Sequence, residues 1–172
     1  RGVPHPDVKA RHFLFCAKWW AEVKLVQKHG KVFEMRVVAL CGSGNVGKTE
    51  TLKELIHVCS TRGATKICSR PCATSAGDVI EVFDYKGQRI CVTTCGDEVA
   101  AINNGHSLAV AHSCNVFVTA ARGQLNCPTL ARVCALAGMG NYPILLSAYW
   151  ERSLHARMAA RNARVDALLR CL

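Results

Sequence analysis

The chain has 172 residues, of which 50% are apolar and 20% charged, and its net charge is +10. This length and composition predict a single globular domain with its own core and exclude a disordered chain. No apolar run approaches the roughly eighteen residues of a membrane-spanning helix, so we also expect no membrane segment.

The positive charge is concentrated at the two ends, with +4 in residues 1–34 and +3 in residues 151–172. A basic excess of this kind permits contact with nucleic acid or another anionic partner. The eleven cysteines are odd in number, and the N-terminal residues show no signal-peptide pattern. Both observations favour reduced thiols over a disulfide framework, and hence a cytoplasmic protein.

The chain begins with an N-terminal extension, residues 1–34, which the helical spacing of apolar residues in HFLFCAKWWAEVKLV predicts to be helical. The working domain is expected to span residues 35–172 and to start with the strand MRVVAL. Its predicted elements follow in chain order: a helix at about 50–60, a polar loop at 60–78, two strands joined at Tyr85–Gln88, a helical stretch after Asp97, a strand at 114–120, a helix at 125–137, the strand YPILLSAY and a last helix from Glu151 to Cys171.

Strands that alternate with helices predict an α/β fold in three layers, with helices on both faces of a mostly parallel sheet. We expect about five strands. The turn at Lys86 and Gly87 predicts a hairpin, which would add one antiparallel strand at the edge of the sheet.

The turn between the first strand and the first helix carries the strongest pattern in the chain, because it fits G-x-x-x-x-G-K-[ST] in full. Glycines allow successive backbone N–H groups to point inward at phosphate oxygens, and the helix adds its positive N-terminal end. The residues of the turn, all predicted to contact phosphates, are Gly42, Ser43, Gly44, Asn45, Val46, Gly47, Lys48 and Thr49.

With a strand before it and a helix after it, this turn resembles the P-loop of nucleoside-triphosphatases. The resemblance implies a three-layer P-loop fold that binds Mg²⁺ with ATP or GTP. It implies that Lys48 reaches the β- and γ-phosphates as a catalytic residue and that the Thr49 hydroxyl ligates Mg²⁺.

The segment NVGKT is similar to the P-loop of translation-factor-type GTPases, in which the second parallel strand ends in D-x-x-G. Here Thr93 stands in place of that aspartate. Gly96 is expected to offer its N–H to the γ-phosphate. Asp97, the nearest carboxylate, is predicted to be a catalytic residue that holds Mg²⁺ through water, or alternatively to cap the following helix.

The base of the nucleotide is harder to predict, because the chain contains no N-K-x-D motif for reading guanine. Tyr149 or Trp150 is available to stack on a base, or to pack in the fold. We therefore favour ATP over GTP.

Two further features concern the phosphate end of the nucleotide. The loop at 61–78 lies where many P-loop proteins keep a nucleotide-sensing switch, and Thr65, Thr74 and Ser75 are alternative hydroxyl ligands for Mg²⁺. Arg122 follows a predicted strand, where it is expected to neutralise charge on the γ-phosphate, or else to be a solvated loop arginine.

The last helix has a basic face with Arg157, Arg161 and Arg164. This face is expected to be solvated, or to contact nucleic acid or an acidic protein partner. The opposing apolar stripe, predicted to pack on the domain, consists of Leu154, Met158, Val165, Leu168 and Leu172.

These features predict a Mg²⁺-dependent nucleoside-triphosphatase that hydrolyses slowly and acts as a nucleotide-dependent switch. A small-molecule or nucleotide kinase of the P-loop class is the alternative from the transferases. A nucleotide-binding module that does not hydrolyse is the alternative outside the enzymes.

Overall fold

The computed structural model describes residues 35–73, 75–124, 126–137, 143–148, 151 and 153–172. The predicted N-terminal helical extension, residues 1–34, lies outside this range. The strands are β1 (Arg36–Gly42), β2 (Thr65–Pro71), β3 (Val79–Tyr85), β4 (Gln88–Thr93), β5 (Val116–Arg122) and β6 (Ile144–Ser147). The helices are α1 (Lys48–Thr61), α2 (Val99–Ala111), α3 (Pro128–Ala137) and α4 (Leu154–Cys171).

The six strands form one mixed sheet in the order β2-β3-β4-β5-β1-β6, which confirms the α/β class. The four strands from β4 to β6 in this order are parallel, whereas β3 runs antiparallel to both of its neighbours. Two details of the prediction are therefore wrong. Among the described residues the sheet has six strands and not about five. Its antiparallel strand, β3, is not the edge strand, because β2 lies beyond it at the edge.

Strand β2 was missed because its sequence, TKICSRP, lacks the apolar alternation that marks a half-buried strand. Six of its seven residues are exposed, and a register shift between Lys66 and Cys68 interrupts its pairing with β3. Backbone hydrogen bonds to β3 thus hold this strand rather than burial of its side chains. A bulge, a proline and charged side chains are also how exposed sheet edges avoid pairing with other chains.

The predicted hairpin is confirmed, with β3 and β4 joined by Lys86 and Gly87. Both residues have positive φ, 50° and 76°. A two-residue turn needs this left-handed conformation to match the twist of the strands it joins.

The core lies on both faces of the sheet. Helices α1 and α4 cover one face, where Leu52, Leu55 and Leu168 pack on β1, β4 and β5. Helices α2 and α3 cover the other, where Ile102 and Val133 pack. Side chains of β1 and β5 are fully buried on both faces, which explains their continuous apolar sequences. Each large apolar side chain buried in this way contributes about 1.5–3 kcal/mol.

The connections place a crevice between the carboxyl ends of β1 and β5. The helix after β1 lies on one face of the sheet and the helix after β5 lies on the other. The segments that follow these two strands therefore diverge at this point. In open α/β sheets such a point is where ligands bind. Gly42 and Arg122, the last residues of the two strands, are partners in the β-ladder there.

The apolar stripe predicted on α4 is only partly buried. Val165 and Leu168 lie in the core, but Leu154 and Met158 are 68% and 50% exposed. The first turns of α4 therefore extend beyond the sheet, and the prediction of a continuous packed stripe is wrong there. No helix in the described part of the chain is long and apolar enough to cross a bilayer.

Cys72 and Cys95 form a disulfide bond, which differs from the expectation of reduced thiols throughout. The other eight described cysteines are free. The bonded pair is buried and connects the loop after β2 with the segment after β4. Sequence spacing did not reveal this pair, because strand pairing across β3 brings together residues 23 positions apart.

The segment after β4 packs closely against β5 at Gly96, where an added Cβ would overlap the backbone carbonyl of Ala120. We expect Gly96→Ala to lower the free energy of unfolding, measured with urea, by about 1–3 kcal/mol. Gly44→Ala is the control, since no atom lies within 4 Å of its added Cβ. An unchanged unfolding midpoint for Gly96→Ala would contradict the described packing.

Reduction of the Cys72–Cys95 bond is expected to destabilise the domain, because the bond limits the entropy of the unfolded chain. For bonds of this kind the loss is about 2–4 kcal/mol. Urea unfolding of the wild type with and without a dithiol measures it, and the Cys72→Ala/Cys95→Ala variant should show no response to the dithiol. Equal stability of the oxidised and reduced wild type would argue against the bond.

Candidate functional site

The glycine loop, residues Gly42–Thr49, turns sharply between β1 and α1. Asn45 and Gly47 have φ values of 60° and 79°, which lie in the left-handed region. Gly47 caps α1 without a side-chain hydrogen bond, and the Thr51 N–H to Gly47 O bond of 3.0 Å is the first of the helix. The three N–H groups before Thr51 thus have no acceptor within the helix, as is usual for the first turn of an α-helix.

The base of the glycine loop is fixed between the ends of β5 and β6. Gly123 N–H donates to Gly42 O at 3.1 Å, and Ala148 N–H donates to Cys41 O at 2.6 Å. A Cβ on Gly42 would overlap the carbonyl oxygen of Ala148. Glycine is therefore required at this position by a close backbone approach.

Lys48 folds back beneath the loop and is only 6% exposed. Its Nζ donates to Ser43 O at 2.7 Å and to Gly42 O at 3.2 Å. Burial lowers the pKa of the Lys48 ammonium, and the negative charge of Asp97 opposes this effect. The ammonium is thus held at the floor of the loop by carbonyl groups, close to the free N–H groups of α1.

The structure brings together the three residues predicted to act at the γ-phosphate. Asp97 Oδ1 lies 3.9 Å from Lys48 Nζ and 3.4 Å from Arg122 Nε. Arg122 also donates from Nη2 to Asp97 Oδ2 at 3.4 Å. Asp97 and Arg122 are each about half exposed (53% and 48%), so this ion pair can open to a ligand at a small cost.

Thr49 connects the glycine loop to the end of β4. Its hydroxyl donates to the carbonyl oxygen of Thr94 at 3.2 Å. The Thr94 hydroxyl in turn donates to Asp78 Oδ1 at 2.9 Å. Sequence reasoning missed both partners, because Asp78 precedes β3 and its proximity to Thr49 depends on the pairing of β3 with β4.

Arg164 of α4 donates from Nη1 to Val46 O at 3.1 Å, so one arginine of the predicted solvated face contacts the glycine loop instead. The contact places a positive charge beside the loop and holds the peptide group between Val46 and Gly47. No local signal in the sequence distinguishes Arg164 from the other arginines of α4.

A cavity of about 490 Å³ opens beside this cluster, at the carboxyl ends of β4 and β5. Its size is within the range of small-molecule sites. Its walls have more apolar than polar surface, and the polar side chains among them are Asp97, Glu98, Arg122, Gln124, Cys127 and Thr129.

Cys127 stands at the start of α3, where its Sγ lies 3.2 Å from Thr129 Oγ1. Partial burial acts to raise the pKa of this thiol, but hydrogen bonds from Thr129 and Leu130 and the charge of Arg122 outweigh it and lower the pKa. By contrast, burial raises the pKa of Cys41 and Cys59 to about 11.

Of the hydroxyl groups considered as alternative Mg²⁺ ligands, Thr65 is excluded by its position. It pairs with Asp84 near the β3–β4 turn, at the end of the strands that lies opposite the glycine loop. Ser75 lies in the loop before β3, at the same end of the strands as the site. Thr74 and the two aromatic residues proposed to stack on a base, Tyr149 and Trp150, lie outside the described residues.

The donor set near the loop fits Mg²⁺ in a particular way. Within the described ranges, no three His, Cys, Asp or Glu side chains converge as a dedicated metal cage would require. Mg²⁺ commonly takes only one or two protein ligands and completes its shell with phosphate oxygens and water. The Thr49 hydroxyl, with Asp97 beyond Lys48, is compatible with that mode of binding.

Comparisons of this chain with protein-family models, curated proteins and solved structures gave no match. Functional conclusions therefore depend on the geometry of the site itself.

The thiol of Cys127 is expected to react with iodoacetamide faster than the buried thiols at neutral pH. Because the pKa of Cys127 is lowered, its thiolate persists to lower pH than that of an ordinary cysteine. The reaction should therefore slow only when the pH falls below the lowered pKa of this thiol. Peptide mass spectrometry across a pH series measures the rate at each cysteine, with Cys127→Ser to confirm the assignment. A rate at Cys127 that rises only near the ordinary thiol pKa would contradict the described hydrogen bonds.

Proposed function

We propose that this chain binds a nucleoside triphosphate with Mg²⁺, with ATP favoured over GTP, and hydrolyses it slowly as a nucleotide-dependent switch. The observation that carries the proposal is the glycine loop, which combines free N–H groups at a helix start with a buried lysine below them. This combination suits a ligand with several adjacent negative charges.

Binding of the phosphates is assigned to the loop and Lys48. The N–H groups of Lys48, Thr49 and Glu50 have no acceptor within α1, so they are available to phosphate oxygens. The ammonium of Lys48 supplies a charge-assisted hydrogen bond to the β- and γ-phosphates, as the resemblance to P-loop proteins implies. Gly96, in the segment that follows β4, is proposed to offer its N–H to the γ-phosphate.

Thr49 and Asp97 are proposed to hold Mg²⁺, the first through its hydroxyl and the second through water. The bound ion would neutralise charge on the phosphates. Arg122 and Lys48 both lie next to Asp97. The positive charges of these two side chains are therefore available to stabilise negative charge that develops at the γ-phosphate. Asp97 holds both cations in place.

Slow hydrolysis follows from what the site lacks. The position of the D-x-x-G aspartate is occupied by Thr93, which is fully buried and whose hydroxyl donates to Cys95 O. No carboxylate is therefore supplied from that position to orient a water molecule. A slow hydrolase of this kind suits a switch, in which the bound nucleotide controls the order of a loop.

The cavity beside Arg122 favours a second candidate function, phosphoryl transfer to a small acceptor. Its volume of about 490 Å³ would hold a molecule larger than water next to the proposed γ-phosphate position. A small kinase of the P-loop class would use such a space for its acceptor.

Calorimetry with ATP and GTP, with and without Mg²⁺, followed by phosphate release from the same samples, tests the proposal. Lys48→Ala is expected to abolish binding, because it removes the buried charge at the floor of the loop. Lys86→Ala is the matched control, since Lys86 lies in the β3–β4 turn, at the end of the strands opposite the glycine loop. Equal binding by wild type and Lys48→Ala would refute the proposal.

The same samples separate the alternatives. Phosphate release with water as the only acceptor supports the hydrolase, whereas product that requires an added hydroxyl or amine compound indicates the kinase. Tight Mg²⁺-dependent binding without either product indicates a module that does not turn over.

A further inference from the structure

Thr94, at the end of β4, is held by hydrogen bonds at all its polar groups. Its N–H donates to Val79 O at 2.9 Å, and its hydroxyl accepts from Val79 N–H at 2.9 Å. The same hydroxyl donates to Asp78 Oδ1 at 2.9 Å. Since Thr94 is also fully buried, neither its backbone nor its side chain can turn without breaking these bonds.

Asp78 is held as firmly as Thr94. It is 8% exposed, its carbonyl accepts from Cys72 N–H at 2.8 Å, and its Oδ1 lies 3.6 Å from Lys53 Nζ. A buried carboxylate needs partners of this kind, because burial of an unpaired charge is costly. Asp78 is therefore a built part of the fold directly behind Thr94.

The remaining polar group of Thr94, its carbonyl oxygen, accepts the hydrogen of the Thr49 hydroxyl. A hydroxyl that ligates a metal uses an oxygen lone pair and still needs an acceptor for its hydrogen. The Thr94 carbonyl supplies that acceptor, and it leaves the lone pairs of the Thr49 oxygen directed away from that carbonyl. Partners of this kind orient metal ligands and strengthen metal binding.

We propose that Asp78 and Thr94 are positioning residues for the Mg²⁺ ligand Thr49, and that they act through the chain of hydrogen bonds Asp78–Thr94–Thr49. This inference rests on the proposed function of the glycine loop. It assigns a structural carboxylate to a site that lacks the D-x-x-G aspartate, and it places that carboxylate immediately before β3 rather than at the end of β4.

The quantity that tests the inference is the magnesium coupling, the ratio of the Kd of a non-hydrolysable ATP analogue without Mg²⁺ to its Kd with Mg²⁺. Asp78→Ala removes the nearer acceptor of the Thr94 hydroxyl and leaves it only Val79 O, at 3.3 Å. The variant is expected to reduce this ratio by about 10- to 100-fold. Binding without Mg²⁺ should be unchanged. Asp78→Asn should retain most of the coupling, because its amide oxygen replaces Oδ1 as the acceptor.

Three further variants complete the design. Thr94→Val should reduce the coupling and Thr94→Ser should retain it, since only the serine keeps a hydroxyl. Asp84→Ala, at the other end of β3 and paired with Arg89, removes a carboxylate without touching the site and should change nothing in the coupling. Calorimetry is run below the unfolding temperature of every variant, with Mn²⁺ binding by electron paramagnetic resonance as a second readout.

The outcomes are distinct. If Asp78→Ala and Thr94→Val weaken binding by the same factor with and without Mg²⁺, their role is structural and the inference is overturned. The same holds if both keep the full coupling while Lys48→Ala abolishes binding, although the proposed function then stands. If the wild type binds no nucleotide, the proposed function fails and the inference fails with it.

Discussion

The burial of one ammonium group, that of Lys48, constrains the architecture around the glycine loop. A buried charge must find polar partners, and here the carbonyl groups of Gly42 and Ser43 turn inward to provide them. With these carbonyls below, the N–H groups at the start of α1 remain free above. The inward turn is possible because Asn45 and Gly47 take up left-handed backbone conformations. One pairing requirement thus sets the shape of the loop and leaves these N–H groups without an acceptor in the helix.

Three separate parts of the chain stabilise this arrangement. The strand end at Gly123 holds Gly42 from one side, α4 reaches Val46 through Arg164, and β4 accepts the hydroxyl of Thr49. Each contact joins residues that are far apart in the sequence. The geometry of the loop is therefore a property of the whole sheet and of helices on one face, and not of the eight residues of the motif alone.

Features that depend on neighbouring residues in the sequence could be predicted, whereas features that depend on contacts between distant residues could not. Features with a local cause were predicted correctly: the buried apolar run of β1, the helix that follows the glycine turn, and the Lys86–Gly87 turn, where a left-handed residue is required. Strand β2 was not predicted, because pairing with β3 rather than burial of its own apolar side chains stabilises it, and six of its seven residues are exposed. The contact of Arg164 with Val46 was also not predicted, since helical spacing shows which side chains share a face but not what that face meets.

The bond between Arg164 and Val46 has a consequence for the order of folding. The two residues are 118 positions apart, so the loop closed by this contact includes most of the sheet. Because closing a long loop costs entropy before the contact offsets it, such contacts form late. Synthesis proceeds from the N-terminus, so Val46 leaves the ribosome well before Arg164. A nascent chain therefore carries the whole glycine motif before α4 is available to supply the contact of Arg164 with Val46.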